Sequence, residues 1–139
     1  MQVLVLNLSG RFRIGAICDA AGEAQVVNAL APGGDEDQYA GAKRQMWAHL
    51  GHVAQLPYPP RNTTTAHQVD EHSKIYEFIK TDLRVMFFYD EQSTILLTHA
   101  FIKDGRKTPP AQIARARRAV TAYFEAKRKG TLRFVKEAD

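Results

Sequence analysis

The fold is decided by three neighbouring stretches of the chain: IYEFIK at residues 75–80, LRVMFFY at 83–89 and TILLTHAF at 94–101. All three are rich in β-branched and aromatic residues, which favour strands. Short polar segments join them, Thr81-Asp82 in the first case and residues 90–93 in the second. This spacing is typical of hairpins, so the sequence predicts three consecutive antiparallel strands, a meander.

Two-residue turns at Thr81-Asp82 and Glu91-Gln92 would fix which side chains of the meander share a face. On that register Arg84 lies directly opposite His99 and diagonal to Glu77. A fixed cation beside an imidazole disfavours the protonated ring, so we expect His99 to be neutral and able to accept a proton. The rest of this face is apolar and comprises Ile75, Ile79, Met86, Phe88, Ile95, Leu97 and Phe101.

This polar group has a purely structural interpretation as well. Arg84 can pair with Glu77 to satisfy a half-buried strand, and His99 can be a packed core histidine. A slip of one residue in either turn would also place Arg84 and His99 on opposite faces of the sheet, because side chains alternate along a strand.

The chain before the meander is expected to form a strand or hairpin and then two helices. Residues 3–8 and 12–17 are short β-prone runs separated by Ser9-Gly10, and residues 21–31 carry apolar side chains at helical spacing. Residues 35–37 are acidic and suit the first turn of a second, longer helix, which must end near Pro57. The apolar stripe of that helix comprises Tyr39, Met46, Trp47, Leu50, Val53 and Ala54, and residues 57–65 are expected to form a loop.

A final helix has clear signals at both ends. Thr108 is a candidate N-cap, Pro109 suits the first helical position, and Gly130 suits the C-cap after three basic residues at 127–129. Its expected core stripe is Ile113, Ala116, Val120, Tyr123 and Phe124. The order of elements therefore predicts one α+β domain over residues 1–139, in which residues 74–129 hold the meander and this helix.

Length and composition exclude several classes of protein. The chain has 139 residues, of which 45% are hydrophobic and 24% charged, and this suits one globular domain. Its longest apolar run, residues 85–89, is too short to span a bilayer. The single cysteine, Cys18, excludes an internal disulfide. With no signal peptide visible at the first residues, we expect a cytoplasmic protein.

The charge is distributed unevenly along the chain. Residues 1–72 carry 5 Lys or Arg against 7 Asp or Glu, whereas residues 73–139 carry 14 against 8. Within residues 103–118 there are 6 basic residues and 1 acidic residue. This concentration is typical of a surface that binds a polyanion, although a solvated helix face would show it too.

The segment THAFIKDGRKTP at residues 98–109 resembles the signature of phage-derived RelE/HigB-like toxins of the RelE/ParE superfamily. In that family a strand ending in Leu-His-Gly-Phe leads through Lys-Lys-Thr-x-Lys-Thr-Pro into the C-terminal helix. The segments YEF at 76–78 and LRVMFF at 83–88 resemble its preceding strands. The chain departs from the signature at Ala100, Asp104 and Gly105.

The resemblance implies a RelE-like fold and the toxin of a toxin–antitoxin pair. Such a toxin cleaves mRNA on the ribosome without a metal or other cofactor, and a helix-turn-helix antitoxin binds it. Arg84 would then stabilise the phosphate and His99 would handle a proton. Auxiliary cations would be Lys80, Lys103 and Arg106, and the RNA backbone would be held by Lys74, Lys107, Arg115 and Arg118.

Other functions stay open at this point. The same fold could serve a non-catalytic protein or a gyrase-directed, ParE-like toxin, and the basic helix could instead bind an acidic protein. His49 and His52 have helical spacing but lack a third ligand, so we expect no metal site. Cys18 is expected to be a buried structural thiol rather than a nucleophile.

Overall fold

The computed structural model describes residues 1–34, 36–60, 66–91, 93–105 and 107–137. These residues form a mixed α+β structure with seven strands in one sheet and three helices, so the predicted α+β class is confirmed. The elements are β1 (Gln2–Val5), β2 (Arg13–Ile17), α1 (Gln25–Ala29), α2 (Ala40–Ala54), β3 (Ala66–Asp70), β4 (Ile75–Lys80), β5 (Leu83–Asp90), β6 (Thr94–Ile102), α3 (Pro110–Lys129) and β7 (Arg133–Lys136).

The sheet is larger than the sequence predicts. Its strand order is β3-β4-β5-β6-β2-β1-β7, in which β2 pairs parallel to β6 and β1 parallel to β7. The three predicted strands β4, β5 and β6 pair antiparallel in sequence order, and β1 and β2 form the predicted hairpin. The strands β3 and β7 were not predicted. They are the two edges of the sheet and are 5 and 4 residues long, too short for a clear alternating pattern.

The helices lie on the two faces of the sheet. On one face α1 and α2 bury apolar side chains against the inner strands, and these include Val26, Met46 and Leu50. On the other face α3 buries Ala116 and Tyr123 against β5 and β6. Each face of the sheet is therefore covered by helix, and side chains that alternate along a strand belong to different cores. None of the helices in the described ranges has the length and apolar character needed to cross a bilayer.

The helix ends differ from the expected positions. The helix α2 begins at Ala40, so Glu36 and Asp37 precede it, while Asp35 lies outside the described residues. Asp37 instead accepts hydrogen bonds from the Tyr39 amide and the Lys43 ammonium. The helix α3 begins at Pro110, and its N-cap is Pro109 rather than Thr108. Its left-handed C-cap at Gly130 and its basic last turn are confirmed.

The register of the meander is correct in the first hairpin and wrong in the second. Lys80 pairs with Leu83 around the turn Thr81-Asp82, as predicted. In the second hairpin Asp90 pairs with Thr94, which adds one residue to the loop and moves Ile95 and Leu97 to the face covered by α1 and α2. A β-bulge at Thr98 then compensates, because Phe87 pairs with Leu97 whereas Met86 pairs with His99.

His99 therefore lies on the same face as Arg84, although it is not opposite that residue. Met86 lies opposite His99, and Arg84 lies opposite Phe101. The predicted pairing of Arg84 with His99 is wrong, while their common face is correct because the longer loop and the bulge cancel each other.

Substitutions at two glycines test how tightly the loop between β1 and β2 packs on α2. A Cβ at Gly10 would lie 2.1 Å from the carbonyl oxygen of Ala54, an atom that also accepts a hydrogen bond from the Phe12 amide. We expect Gly10→Ala to lower the free energy of unfolding by about 2–3 kcal/mol, because backbone must move. In Gly51→Ala the nearest atom lies 4.0 Å from the new Cβ. The free energy of unfolding of this variant should rise by about 0.5–1 kcal/mol, because alanine has the higher helix propensity. Urea unfolding of both variants measures the difference, and equal effects would contradict this packing.

Candidate functional site

His99 is almost completely buried in the strand β6, with 1% of its surface exposed. Its Nε2 atom lies 2.8 Å from the Gln112 side-chain oxygen on α3, and its Nδ1 atom lies 3.0 Å from the Thr98 hydroxyl. If Gln112 presents its oxygen, His99 must donate from Nε2 and accept at Nδ1. Both ring nitrogens thus have partners, and the bulge residue Thr98 supplies one of them.

The imidazole of His99 is neutral, as the sequence predicts, but for another reason. Burial is the main cause, and it lowers the pKa of His99 from 6.5 to about 4. The hydrogen bond with Gln112 raises this pKa, and the charge of Arg115 on α3 lowers it. The expected cation was Arg84, whereas the cation that acts on the ring is Arg115.

Arg84 is held close to the backbone of its own hairpin. Its Nη1 atom donates to the carbonyl oxygens of Thr81 and Leu83, and its Nε atom lies 3.6 Å from Oε1 of Glu77. The predicted diagonal contact with Glu77 is confirmed. Among the described residues the Nε atom has no hydrogen-bond partner, although it is buried and faces the Glu77 carboxylate.

Glu77 is the buried centre of this polar group. Its Oε2 atom accepts a hydrogen bond of 3.1 Å from the Thr108 hydroxyl, just before α3. Its Oε1 atom lies 3.1 Å from Nε2 of His67 as well as near Arg84, yet it has no aligned hydrogen bond. The Thr108 hydroxyl therefore donates to a buried carboxylate and does not cap the helix.

Sequence reasoning missed His67. This residue lies on β3, directly opposite Glu77, in a strand that follows the predicted loop 57–65 and was not itself predicted. The available signal was weak: residues 66–70 precede a polar turn and then β4, an arrangement that permits a hairpin.

The auxiliary cations are not all brought to this site. Lys80 follows Ile79 in β4 and therefore lies on the opposite face of the sheet, the face covered by α2. There its charge helps to lower the pKa of His49. Lys103 stays near the first hairpin, since its amide donates to the carbonyl oxygen of Asp82 at 2.7 Å. Arg106 lies outside the described residues. Lys74 is exposed in the turn before β4.

The cations of α3 and its approach fall into two groups. In the first group each cation forms an ion pair with a carboxylate. Arg117 pairs with Asp70 at 2.6 Å, Lys127 with Asp90 at 2.8 Å and Lys129 with Glu125 at 2.9 Å. The other group is exposed and has no carboxylate partner within the described part of the chain; its members are Lys107, Arg115 and Arg118. We call this second group the unpaired basic group. It lies at the N-terminal half of α3, the end that covers His99 and Glu77.

A cleft of about 240 Å³ opens beside His99, between β2, α1, β6 and α3. Arg115, His99 and Thr98 line one part of it, and Asp19 and Glu23 line another. Cys18 also borders this cleft but is buried, and burial raises the pKa of its thiol. This supports a structural thiol rather than a nucleophile.

Metal ligands do not cluster in the described ranges, where no group of three or more His, Cys, Asp or Glu residues could hold an ion. The rings of His49 and His52 are 6.4 Å apart. His49 instead packs edge-on against Phe78, in the core below α2.

Comparison with known proteins identifies a matching family. Residues 37–121 match the model of a family described as "Phage derived protein Gp49-like (DUF891)". The match covers more than half of the 139 residues and contains Glu77, Arg84 and His99. No curated protein matches the chain.

Burial of two neutral histidines predicts how stability depends on pH. Burial, followed by the charges of Lys80 and His52, lowers the pKa of His49 to about 4, the value found for His99. Because the unfolded chain binds these protons near pH 6.5 and the folded chain does not, stability is complete above pH 6.5 and is lost as the pH falls towards 4. The slope should be about 1.4 kcal/mol per pH unit for each histidine.

Urea unfolding between pH 7 and pH 4.5 measures this slope in the parent, His99→Gln and His49→Gln. Each variant should lose the contribution of one histidine. The pKa values of Asp37 and Asp70 are lowered from 3.8 by hydrogen bonds from Lys43 and Arg117, so these groups act at lower pH. An unchanged slope in both variants would contradict the burial of the two imidazoles.

Proposed function

Because this chain belongs to the Gp49-like family of phage-derived proteins, we propose that it is a toxin that cleaves mRNA on the ribosome. The family indicates the toxin of a toxin–antitoxin pair, and a cognate helix-turn-helix antitoxin is the expected partner. The finer assignment, a RelE/HigB-like endoribonuclease that needs no metal, rests on the residues of the candidate site.

The observation that carries this proposal is the unpaired basic group, Lys107, Arg115 and Arg118. Cations that are already in ion pairs, such as Arg117 and Lys127, have less to gain from a phosphate. The unpaired cations surround the same end of α3 that packs on His99 and Glu77. RNA held there through its phosphates would pass beside the candidate catalytic residues.

The chemistry fits these residues. Cleavage by attack of a ribose 2′-hydroxyl needs a proton acceptor, a cation for the charge that develops on the phosphate, and a proton donor for the 5′ oxygen. Neutral His99 is the proton acceptor in this proposal. The Arg84 guanidinium, whose Nε atom is buried and faces Glu77, must turn away from that carboxylate to bind the phosphate. Since Nε2 of His99 donates to Gln112, the Gln112 side chain must swing aside and the ring proton must move to Nδ1, facing the Thr98 hydroxyl, before Nε2 can accept the ribose proton. Lys103 would add positive charge, and fixed cations of this kind can replace a metal ion.

The burial of His99 favours a second candidate function. An imidazole that is 1% exposed and bonded at both nitrogens also suits a purely structural role. In that case the protein would be a non-catalytic or gyrase-directed, ParE-like member of the superfamily.

Charge reversal tests RNA binding. The triple variant Lys107→Glu, Arg115→Glu and Arg118→Glu should lower mRNA cleavage on purified ribosomes at least 10-fold, and it should flatten the salt dependence of RNA binding by about one unit per lost contact. The matched control is Arg128→Glu, Lys129→Glu and Lys136→Glu, which makes the same change of charge at the other end of α3 and on β7. Equal loss in both variants would show that net charge, rather than the unpaired basic group, determines binding.

Substitution of His99 separates the two candidate functions. His99→Gln should lower the cleavage rate by about 100-fold or more, the usual contribution of a proton-transfer group, and it should relieve growth arrest in cells. In the same cells Gln112→Ala should keep or raise activity, because it removes the partner of Nε2 and lets the ring take the tautomer that accepts a proton there. Primer extension detects cleaved mRNA, and a separate assay detects topoisomerase-linked DNA breaks. Breaks in DNA with intact mRNA would select the gyrase-directed function.

A further inference from the structure

The buried carboxylate of Glu77 joins His67 and Arg84 into one group. Both Nε2 of His67 and Nε of Arg84 lie no further than 3.6 Å from the same oxygen, Oε1. A third residue, Thr108, holds the other oxygen, Oε2. Glu77 has no exposed surface, whereas 39% of the His67 side chain is exposed. His67 is therefore the member of this group that a substrate can reach most easily.

The contacts around Oε1 are incomplete in this state. Oε1 of Glu77 and Nε of Arg84 are both buried without an aligned hydrogen bond. A buried acceptor without a donor is costly, and an N–H group at Nε2 of His67 would supply that donor. The carboxylate is thus placed to hold and orient the His67 ring, as the buried carboxylate of a catalytic triad does.

This group lies on the same face of the sheet as His99. His67, Glu77, Met86 and His99 pair with one another in a row across β3, β4, β5 and β6, so they share one face. The backbones of the two histidines are three strand spacings apart, or roughly 14 Å. Arg84 projects from the same face of β5, between β3 and β6. A phosphate bound by Arg84 would therefore have one histidine on each side.

We propose that His67, positioned by Glu77, donates the proton to the leaving 5′ oxygen when the protein cleaves RNA. This proposal rests on the proposed function and fills the proton-transfer role that His99 leaves open. Among the described residues His99 contacts no carboxylate, whereas Nε2 of His67 lies 3.1 Å from Oε1 of Glu77. The two histidines therefore have different partners, and we assign them different roles in the reaction.

The step balances as follows. His99 takes the proton of the 2′-hydroxyl, the 2′ oxygen forms a bond to phosphorus, and the bond between phosphorus and the 5′ oxygen breaks. The 5′ oxygen takes the proton of the His67 imidazolium. The products are a 2′,3′-cyclic phosphate and a free 5′-hydroxyl, and both histidines recover their starting states by exchanging protons with water.

A substrate with a better leaving group tests the role of His67. The scissile phosphate is first mapped in the parent reaction, and an mRNA is then made in which sulfur replaces the 5′ bridging oxygen of that phosphate. A thiolate leaves without protonation, so this substrate does not need the acid. On ribosomes carrying ordinary mRNA, His67→Ala should cleave about 100-fold more slowly than the parent, or slower still. With the sulfur substrate its rate should come within a few-fold of the parent rate.

Three variants serve as controls for this experiment. Glu77→Gln should show the same pattern as His67→Ala, because it removes the charge that holds the imidazolium. His99→Gln should be slow with both substrates, since it lacks the base. His72→Ala removes an exposed histidine from the turn before β4 and should cleave both substrates at the parent rate. Circular dichroism and urea unfolding show whether each variant is folded under the assay conditions.

The outcomes separate the two proposals. If the parent cleaves neither mRNA, the proposed function fails. If the parent cleaves mRNA but folded His67→Ala is as fast as the parent, or equally slow with both substrates, the role of His67 is overturned and the proposed function stands. If His67→Ala does not fold, Glu77→Gln and His67→Gln decide in its place by the same comparison of substrates.

Discussion

The β-bulge at Thr98 is the constraint on which the rest of the site depends. The loop before β6 is one residue longer than a tight hairpin, which alone would turn His99 towards α1 and α2. The additional residue in β6 reverses that change for the last part of the strand only. As a result Ile95 and Leu97 pack in the core beneath α2, while His99 faces α3. The Thr98 hydroxyl also contacts the imidazole, so one residue sets both the direction and the hydrogen bonding of His99.

A second constraint is the buried charge of Glu77. A carboxylate without exposed surface must be compensated, and here Arg84 and the Thr108 hydroxyl do so from different elements. These contacts attach the start of α3 to β4 and β5. At the other end of the helix, Asp90 accepts hydrogen bonds from Tyr123 at 2.6 Å and from Lys127. Two buried or nearly buried carboxylates thus fix α3 on the sheet at both ends. Arg115 and Arg118 lie between these contacts and stay exposed.

The sequence predicts the parts of the structure that depend on local pattern. The strands β4 to β6, the first hairpin and the end of α3 at Gly130 all follow from residue types at neighbouring positions. The sequence does not predict features decided by distant contacts. The edge strands β3 and β7 exist because β4 and β1 offer them partners, and the polar run around His67 has no strand signal of its own. Thr108 has the right spacing for a cap, yet its hydroxyl donates to Oε2 of the buried Glu77 carboxylate instead.

The same distinction applies to the candidate site. Arg84 and His99 could be predicted because each lies in a segment with a clear strand pattern. Their common face was predicted correctly because the longer loop and the bulge, neither of which was predicted, cancel each other. The cause of the neutral imidazole could not be predicted, since burial under Gln112 and the charge of Arg115 come from a helix whose position depends on the whole sheet. The contact of His67 with Glu77 could not be predicted, because it depends on the pairing of β3 with β4 and on the burial of Glu77. A residue of this kind gains its chemistry from packing: the fold encloses a carboxylate, and the histidine that reaches it at the sheet edge is the one left open to a substrate.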